Sequence, residues 1–333
     1  MRASRYIALL LLLPAFSCFE VDEPVLPHES GDVETGQVGM TSSYKYQLYY
    51  DLGTASMVSS NLKSEWDLGF SASDTSAHVI LNTGNFMWAL HTGKQGLFAQ
   101  VDTSGMTWAF DDSQLGIRKT AIGAWGNGDG TQMTGTGELI LVDRGYDDLG
   151  LPRGIVRLVI DKLENDTFYF RFAEFKGSVE YPCKVARDVA GNHACFSFEN
   201  QGKQVAIEPP RDDWDLHFTQ YTTILLTNDG DPYPYLVTGV LMNPNAVEAV
   251  MDSTVDFDSL TRPEAEQYIL ETSQDVIGYG WKWFDFDAGT YLVLPQNIYI
   301  IRDTEGYLYK LRFVSFINQF GERGYPGFEF VRF

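Results

Sequence analysis

Apolar and polar positions along this chain alternate in short runs with a period close to two. Tyr44 to Tyr50 is a β-prone aromatic run, and Phe168-Tyr169-Phe170-Arg171-Phe172 alternates strictly. Ile155 to Ile160 and Phe168 to Phe172 flank Glu164-Asn165-Asp166 and predict a hairpin. Ile298 to Arg302, the turn Asp303-Thr304-Glu305-Gly306 and Tyr307 to Phe313 predict a second one. Turn chemistry is dense, as at Asn127-Gly128-Asp129-Gly130 and Asp229-Gly230-Asp231-Pro232. Helical spacing is thin. One or two turns are expected over Pro263 to Leu270, with Thr261 as the cap, Pro263 in the first turn, and Glu264 and Glu266 complementing the helix N-terminus. The pattern predicts an all-β fold with very little helix.

One block of the pattern returns. Trp66-Asp67-Leu68-Gly69-Phe70 recurs 148 residues later as Trp214-Asp215-Leu216-His217-Phe218. Tyr50-Asp51-Leu52 and Phe198-Glu199-Asn200 stand sixteen residues before the respective tryptophans, and each half closes on aromatic alternation. A single repetition at this period predicts two tandem copies of one antiparallel β domain. The expected division is 1–17 as a signal peptide, 18–40 as a flexible acidic tether, 41–177 as the first domain and 178–333 as the second. Within the first block, period two places Trp66, Leu68 and Phe70 on one face and Asp67 and Gly69 on the other.

Charge narrows the partners. The 333 residues carry 45 Asp+Glu against 24 Lys+Arg, a net charge of −21. No basic run is present to neutralise phosphates, so nucleic acid is excluded as an expected partner. Arg2 and Arg5 precede the apolar run Ile7 to Phe16, too short to span a bilayer, and Ser17 precedes Cys18. That arrangement is similar to a bacterial lipoprotein signal, in which Cys18 is acylated and anchors the chain to a membrane; the alternative is an ordinary secretory signal. Cys18 apart, the remaining cysteines are Cys183 and Cys195. In an oxidising compartment they form a candidate disulfide across the turn Asp188 to Asn192; the alternative is two free thiols.

Catalytic constellations are missing from the sequence. There is no nucleophile-elbow serine, no His-Glu-x-x-His pair and no phosphate-cradling glycine loop. No enzyme is expected; a glycosidase is the weakest of the classes weighed, because no acid pair has a recognisable setting. Asn127 to Gly130 lacks the ligand spacing of a calcium loop, and no metal site is expected. Imidazoles and thioethers that could ligate a haem iron are His78 and His91, which bracket Asn85-Phe86-Met87-Trp88, together with His217 and Met242.

Asp213 to Tyr221, Thr227-Asn228-Asp229-Gly230, Ile298 to Asp303 and Gly306 to Phe313 together resemble the HmuY family over about residues 181 to 333, with a fainter echo in residues 40 to 177. The resemblance implies a lipid-anchored hemophore, on the cell surface or periplasmic face of the outer membrane, with a β sandwich whose two long strand pairs grip a porphyrin. It implies haem or a related tetrapyrrole as ligand and a TonB-dependent outer-membrane receptor as partner. The family ligates iron through two His or two Met. The matching stretch here, Gly280 to Asp287, has neither, so no ligand transfers. Trp281, Trp283 and Phe286 remain candidates to stack on the ring, and Tyr279 or Tyr291 could reach ferric iron. The alternative on the same scaffold is a surface protein-interaction module that binds no haem.

Overall fold

A computed structural model describes residues 31–114 and 119–333. The expected signal peptide and Cys18 lie outside the described residues, and so does the first part of the expected tether. Among the described residues the only α-helix is Arg262–Ala265, and no helix is long and apolar enough to cross a membrane. All strand pairs are antiparallel. The fold is all-β, as the alternation predicts. Both predicted hairpins form: Ile155–Glu164 pairs with Thr167–Glu174, and Ile298–Arg302 with Leu308–Ile317. Asn165 and Asp166 both take positive φ, 50° and 55°, which matches the right-handed twist of the strands they join. Thr261 N and Oγ1 both reach Glu264 Oε2, closing the predicted cap.

Two sandwiches are stacked against each other. In one, the short sheet of strands Lys203–Val205, His193–Ser197, Leu68–Ser71 and Val79–Leu81 packs on a seven-stranded sheet that includes Ile155–Glu164 and Thr167–Glu174. Leu68, Phe70, Phe168, Phe170, Phe172 and Phe196 fill that core. In the other, the sheet Pro232–Met242, Leu216–Leu226, Tyr46–Asp51 and Ser56–Leu62 packs on a five-stranded sheet built around Leu308–Ile317 and Arg323–Arg332. Leu216, Phe218, Trp281, Phe313, Phe328 and Phe330 fill the second core. Each large sheet is also covered on its outer face, one by Leu97 to Trp108 and the other by Phe257 to Leu270.

The cores do not divide at residue 177. The hairpin Tyr46–Asp51/Ser56–Leu62 precedes the first Trp-Asp-Leu block but pairs with the second: Leu216 faces Tyr50 and Phe218 faces Leu48. Reciprocally, His193–Ser197 precedes the second block but pairs with the first, Leu68 facing Phe196 and Phe70 facing Ala194. Each Trp-Asp-Leu block thus pairs with the hairpin that precedes the other block, an exchange of hairpins between the two. Leu48, Tyr50 and Leu52 therefore belong to the C-terminal core, and Val185, Phe196 and Phe198 to the N-terminal one.

The expected tether also ends early. Glu34–Gln37 pairs with Gly327 to Phe330, and Val38 and Met40 are buried. Gly36 permits this docking, since a Cβ there would stand 2.4 Å from the Phe328 ring. Trp66 leaves the face predicted for it: the strand begins at Leu68, and Trp66 lies outside the core that Leu68 and Phe70 enter.

Candidate functional site

The two short sheets turn their inner faces to the two cores and their outer faces toward one another. A cavity of about 110 Å³ lies in this seam. Strand alternation decides what lines it. Ala194 and Phe196 enter the N-terminal core, so Cys195 and His193 turn to the seam; Leu216 and Phe218 enter the C-terminal core, so His217 turns to it. Trp66, Trp214 and Tyr49 complete an aromatic lining. Tyr49 lies parallel to His217 at 4.3 Å and edge-on to Trp214 at 4.9 Å. Burial presses the His217 pKa down to about 3, so the ring is neutral.

The repeat is legible in hydrogen bonds. Asp67 N donates to Phe196 O and Asp67 Oδ2 accepts from Phe198 N. Asp215 N donates to Tyr50 O and Asp215 Oδ2 accepts from Leu52 N. Asn82 N donates to Asp67 O while its Nδ2 closes on Trp66 O; Asn243 does the same with Asp215 O and Trp214 O. At the ladder position where one copy has His217, the other has Gly69, because Ile80 and His193 occupy the space a Cβ would need. The seam is consequently asymmetric.

The sequence-predicted iron ligands are not brought together. His217 pairs with Leu241, whereas Met242 pairs with Leu216 and points into the C-terminal core. His217 and Met242 thus occupy opposite faces of one hairpin. His91 is half-exposed, its Nδ1 3.2 Å from Glu138 and its Nε2 3.0 Å from Ile122 O. His78 instead meets His193, a residue the sequence left without a role: their Nε2 atoms are 3.0 Å apart and share a proton, with Ser76 Oγ 2.7 Å from His78 Nδ1 and Glu208 3.5 Å from His193 Nδ1. That contact joins residues 115 apart and follows from the hairpin exchange. Cys183 and Cys195 are both free, which corrects the expected bridge. Cys195 faces the seam while Cys183 packs against the N-terminal core, so alternation points the two sulfurs apart. Among the described residues no group of three or more His, Cys, Asp or Glu is placed to hold a metal ion. Asp129, weighed for calcium, spends Oδ1 on Thr131 and Gln132 in an ordinary turn.

The ring-stacking candidates divide by burial. Trp281 is fully buried and stacks on Phe313 at 4.1 Å, so it is a core residue and cannot meet a ligand. It roots a separate two-stranded hairpin, Lys282–Asp285 with Thr290–Val293. Lys282 Nζ lies 4.1 Å above the Trp281 ring and donates to Thr238 O at 2.5 Å; burial lowers its pKa to about 7. Beyond this root the hairpin offers its aromatics to solvent. Trp283 is 49% exposed and Phe286 is 88% exposed, with Phe284 holding Phe286 and Tyr291 edge-on at 5.1 Å each. Tyr235 and Tyr279 of the same sandwich are exposed as well.

Comparison with known proteins follows the same lines. No curated protein matches the sequence. Among solved structures, apo PinO from Porphyromonas gingivitis shares 10% identity over 90% of this chain and 96% of its own, with a TM-score of 0.27. An apo HmuY analog from Tannerella forsythia shares 8% identity over 91% and 96%, with a TM-score of 0.26. A putative HmuY-like heme binding protein from Bacteroides vulgatus shares 10% over 90% and 90%, with a TM-score of 0.22. Superpositions this loose carry no argument about the chain. The family profile does: the one described as HmuY protein matches residues 43–330, a single span that takes in both Trp-Asp-Leu blocks and both exchanged hairpins. The chain belongs to the HmuY family.

Proposed function

We propose that this protein is an exported, non-catalytic binding protein that takes haem or a related tetrapyrrole against the aromatic hairpin of its C-terminal sandwich. Family membership supports the ligand class. The observation that carries the reading is the hairpin itself, which is rigidly rooted at Trp281 and Lys282 yet leaves Trp283 and Phe286 in water. Large apolar faces held in solvent by a well-packed base mark a binding surface. The seam cavity does not compete for this role: at about 110 Å³ it is well below the roughly 300–1,000 Å³ of sites for larger ligands. No His, Met or Cys lies on the hairpin, so the axial pair of the family is missing there and stacking supplies the grip. In this reading Cys18 anchors the chain to the outer membrane and the ligand passes to a TonB-dependent receptor.

Haemin titrated into the mature chain tests the proposal. Saturation of a shifted Soret band near one equivalent is expected. The double variant Trp283→Ala/Phe286→Ala should weaken binding about tenfold or more, as loss of two stacking faces requires, while His217→Ala should leave it unchanged. Only the broad absorbance of adsorbed haemin would overturn the reading in favour of a surface that docks a protein.

A further inference from the structure

A buried ammonium fastens the aromatic hairpin to the sandwich beneath it. Lys282 is 7% exposed. Of its three N–H donors, one meets an oxygen among the described residues, Thr238 O on the edge strand Pro232–Met242. Rings enclose the remainder: Trp281 lies 4.1 Å from Nζ, Phe316 4.8 Å and Tyr291 5.8 Å. Phe316 in turn stands edge-on to Trp281 at 5.5 Å and to Tyr291 at 5.0 Å. One nitrogen therefore ties both strands of the hairpin to the edge strand and to Leu308–Ile317.

Among the described residues no carboxylate is within ion-pair reach of this nitrogen, and burial alone moves its pKa. Asp285 and Asp287 stand at the far end of the hairpin, where Asp285 Oδ1 accepts from the amides of Asp287 and Ala288. On the sandwich side, the groups behind the rings are Tyr44, Tyr235 and Arg323. Burial first and Tyr291 next keep the Tyr44 phenol protonated, and Arg323 lies 5.7 Å over its ring. None of these supplies a negative charge. Three rings and one carbonyl return only part of the hydration that an ammonium gives up on burial. The neutral amine is consequently the easier form to enclose, and its pKa of about 7 reflects that.

We propose that Lys282 is a positioning residue through which protons loosen the aromatic hairpin: the uncharged amine lets the hairpin dock, and the ammonium draws it off toward water. Linkage fixes the direction. Docked, Lys282 takes up its proton near pH 7, at its pKa of about 7; released into water, it does so at about pH 10.4. Between those limits the undocked hairpin holds the extra proton, so docking strengthens as pH rises through them. Below about pH 7 both states are charged, and docking is at its weakest and level. Trp283 and Phe286 ride on the hairpin. A planar ligand stacked on them is therefore held on the alkaline side and let go toward the acid side. That consequence rests on the ligand reading given above; the motion of the hairpin does not.

Hydrogen exchange of the ligand-free mature chain, followed by NMR from about pH 6 to 9 and corrected for intrinsic rates, tests this at two protons of the hairpin root. One is the Trp281 indole N–H, which donates to Gly278 O at 3.1 Å; the other is the Leu294 amide, which donates to Trp281 O at 2.8 Å. Both should open more often than the amides of Leu308–Ile317. Their opening constant should grow about tenfold for each unit of acidification between about pH 9 and 7 and level off below. Lys282→Met should remove the slope, and Lys282→Arg, which stays charged, should keep the root loosened at every pH. Root protection that does not change with pH in the unaltered chain would overturn the proposal. So would an opening constant equal to that of the core strands throughout, since the root would then open only with the whole fold, or a slope that survives in Lys282→Met. Exchange reads whether the hairpin moves and the haemin titration whether a ligand is held, so either can fail without the other.

Discussion

Asp67 and Asp215 occupy the same place in the two Trp-Asp-Leu blocks and solve the same problem in opposite ways. Each is fully buried, and each ties its own block to the hairpin that precedes the other block. Asp67 faces two guanidinium groups, with Arg144 Nε at 3.2 Å and Arg153 Nη1 at 2.8 Å, and Glu199 stands behind them. Among the described residues Asp215 has no cation beside it. It accepts from Thr304 N at 2.9 Å and from Thr304 Oγ1 at 3.1 Å, and its electrostatic neighbours are Asp303 and Asp51. Burial first, and those carboxylates after it, push the Asp215 pKa up to about 6. One junction is thus an ion-pair network and the other is a hydrogen-bonded acid. Two junctions can share a backbone bonding pattern and differ in the charge on it, because the pattern needs only an oxygen acceptor at that position.

The sharpest way to break the comparison is Asp67→Asn. Two nearly buried arginines would lose their counter-charge, and removing one partner of a buried ion pair costs about 3–5 kcal/mol; the denaturant midpoint should fall accordingly. Asp215→Asn should behave differently. Its folded pKa lies above the unfolded value, so its stabilising contribution is complete below about pH 4 and is lost as pH rises through about 6. The wild-type melting temperature should therefore carry a downward component across this window, to which Asp111 also contributes. Asp215→Asn should flatten that component, even though it forfeits one acceptor; an unchanged pH profile would show that the carboxyl titrates alike in the folded and unfolded chain. The smallest effect belongs to Glu199→Gln. Glu199 is half-exposed, and its pKa is lowered by the hydrogen bond from Arg144. Such a pair contributes about 0–1 kcal/mol, and the change should be barely visible in a melt.

Local structure was written plainly in the sequence. Asn165-Asp166 specified its turn, Thr261 and Glu264 their cap, and period two the faces of Leu68, Phe70, Leu216 and Phe218. Partnership was not, because alternation says which way a side chain points and nothing about which strand lies beside it. Matching flanks by spacing set Tyr50 against Phe198, whereas the ladders give Tyr50 the role of Phe196, two residues earlier. The same gap explains the site residues. Whether His217 and Met242 could converge depended on their register, and the register places them on opposite faces. The link between His78 and His193, and the seam itself, arise only once hairpins are exchanged.

Glu34–Gln37 closes on Arg323–Arg332, so the first strand of the fold is completed by the last. During vectorial synthesis the C-terminal sandwich cannot finish early. Residues 46–62 must wait for residue 216, and the opening strand must wait for residue 327. Contacts this distant in sequence make folding slow and leave strand edges bare meanwhile. That delay makes assembly of the C-terminal sandwich a single late event.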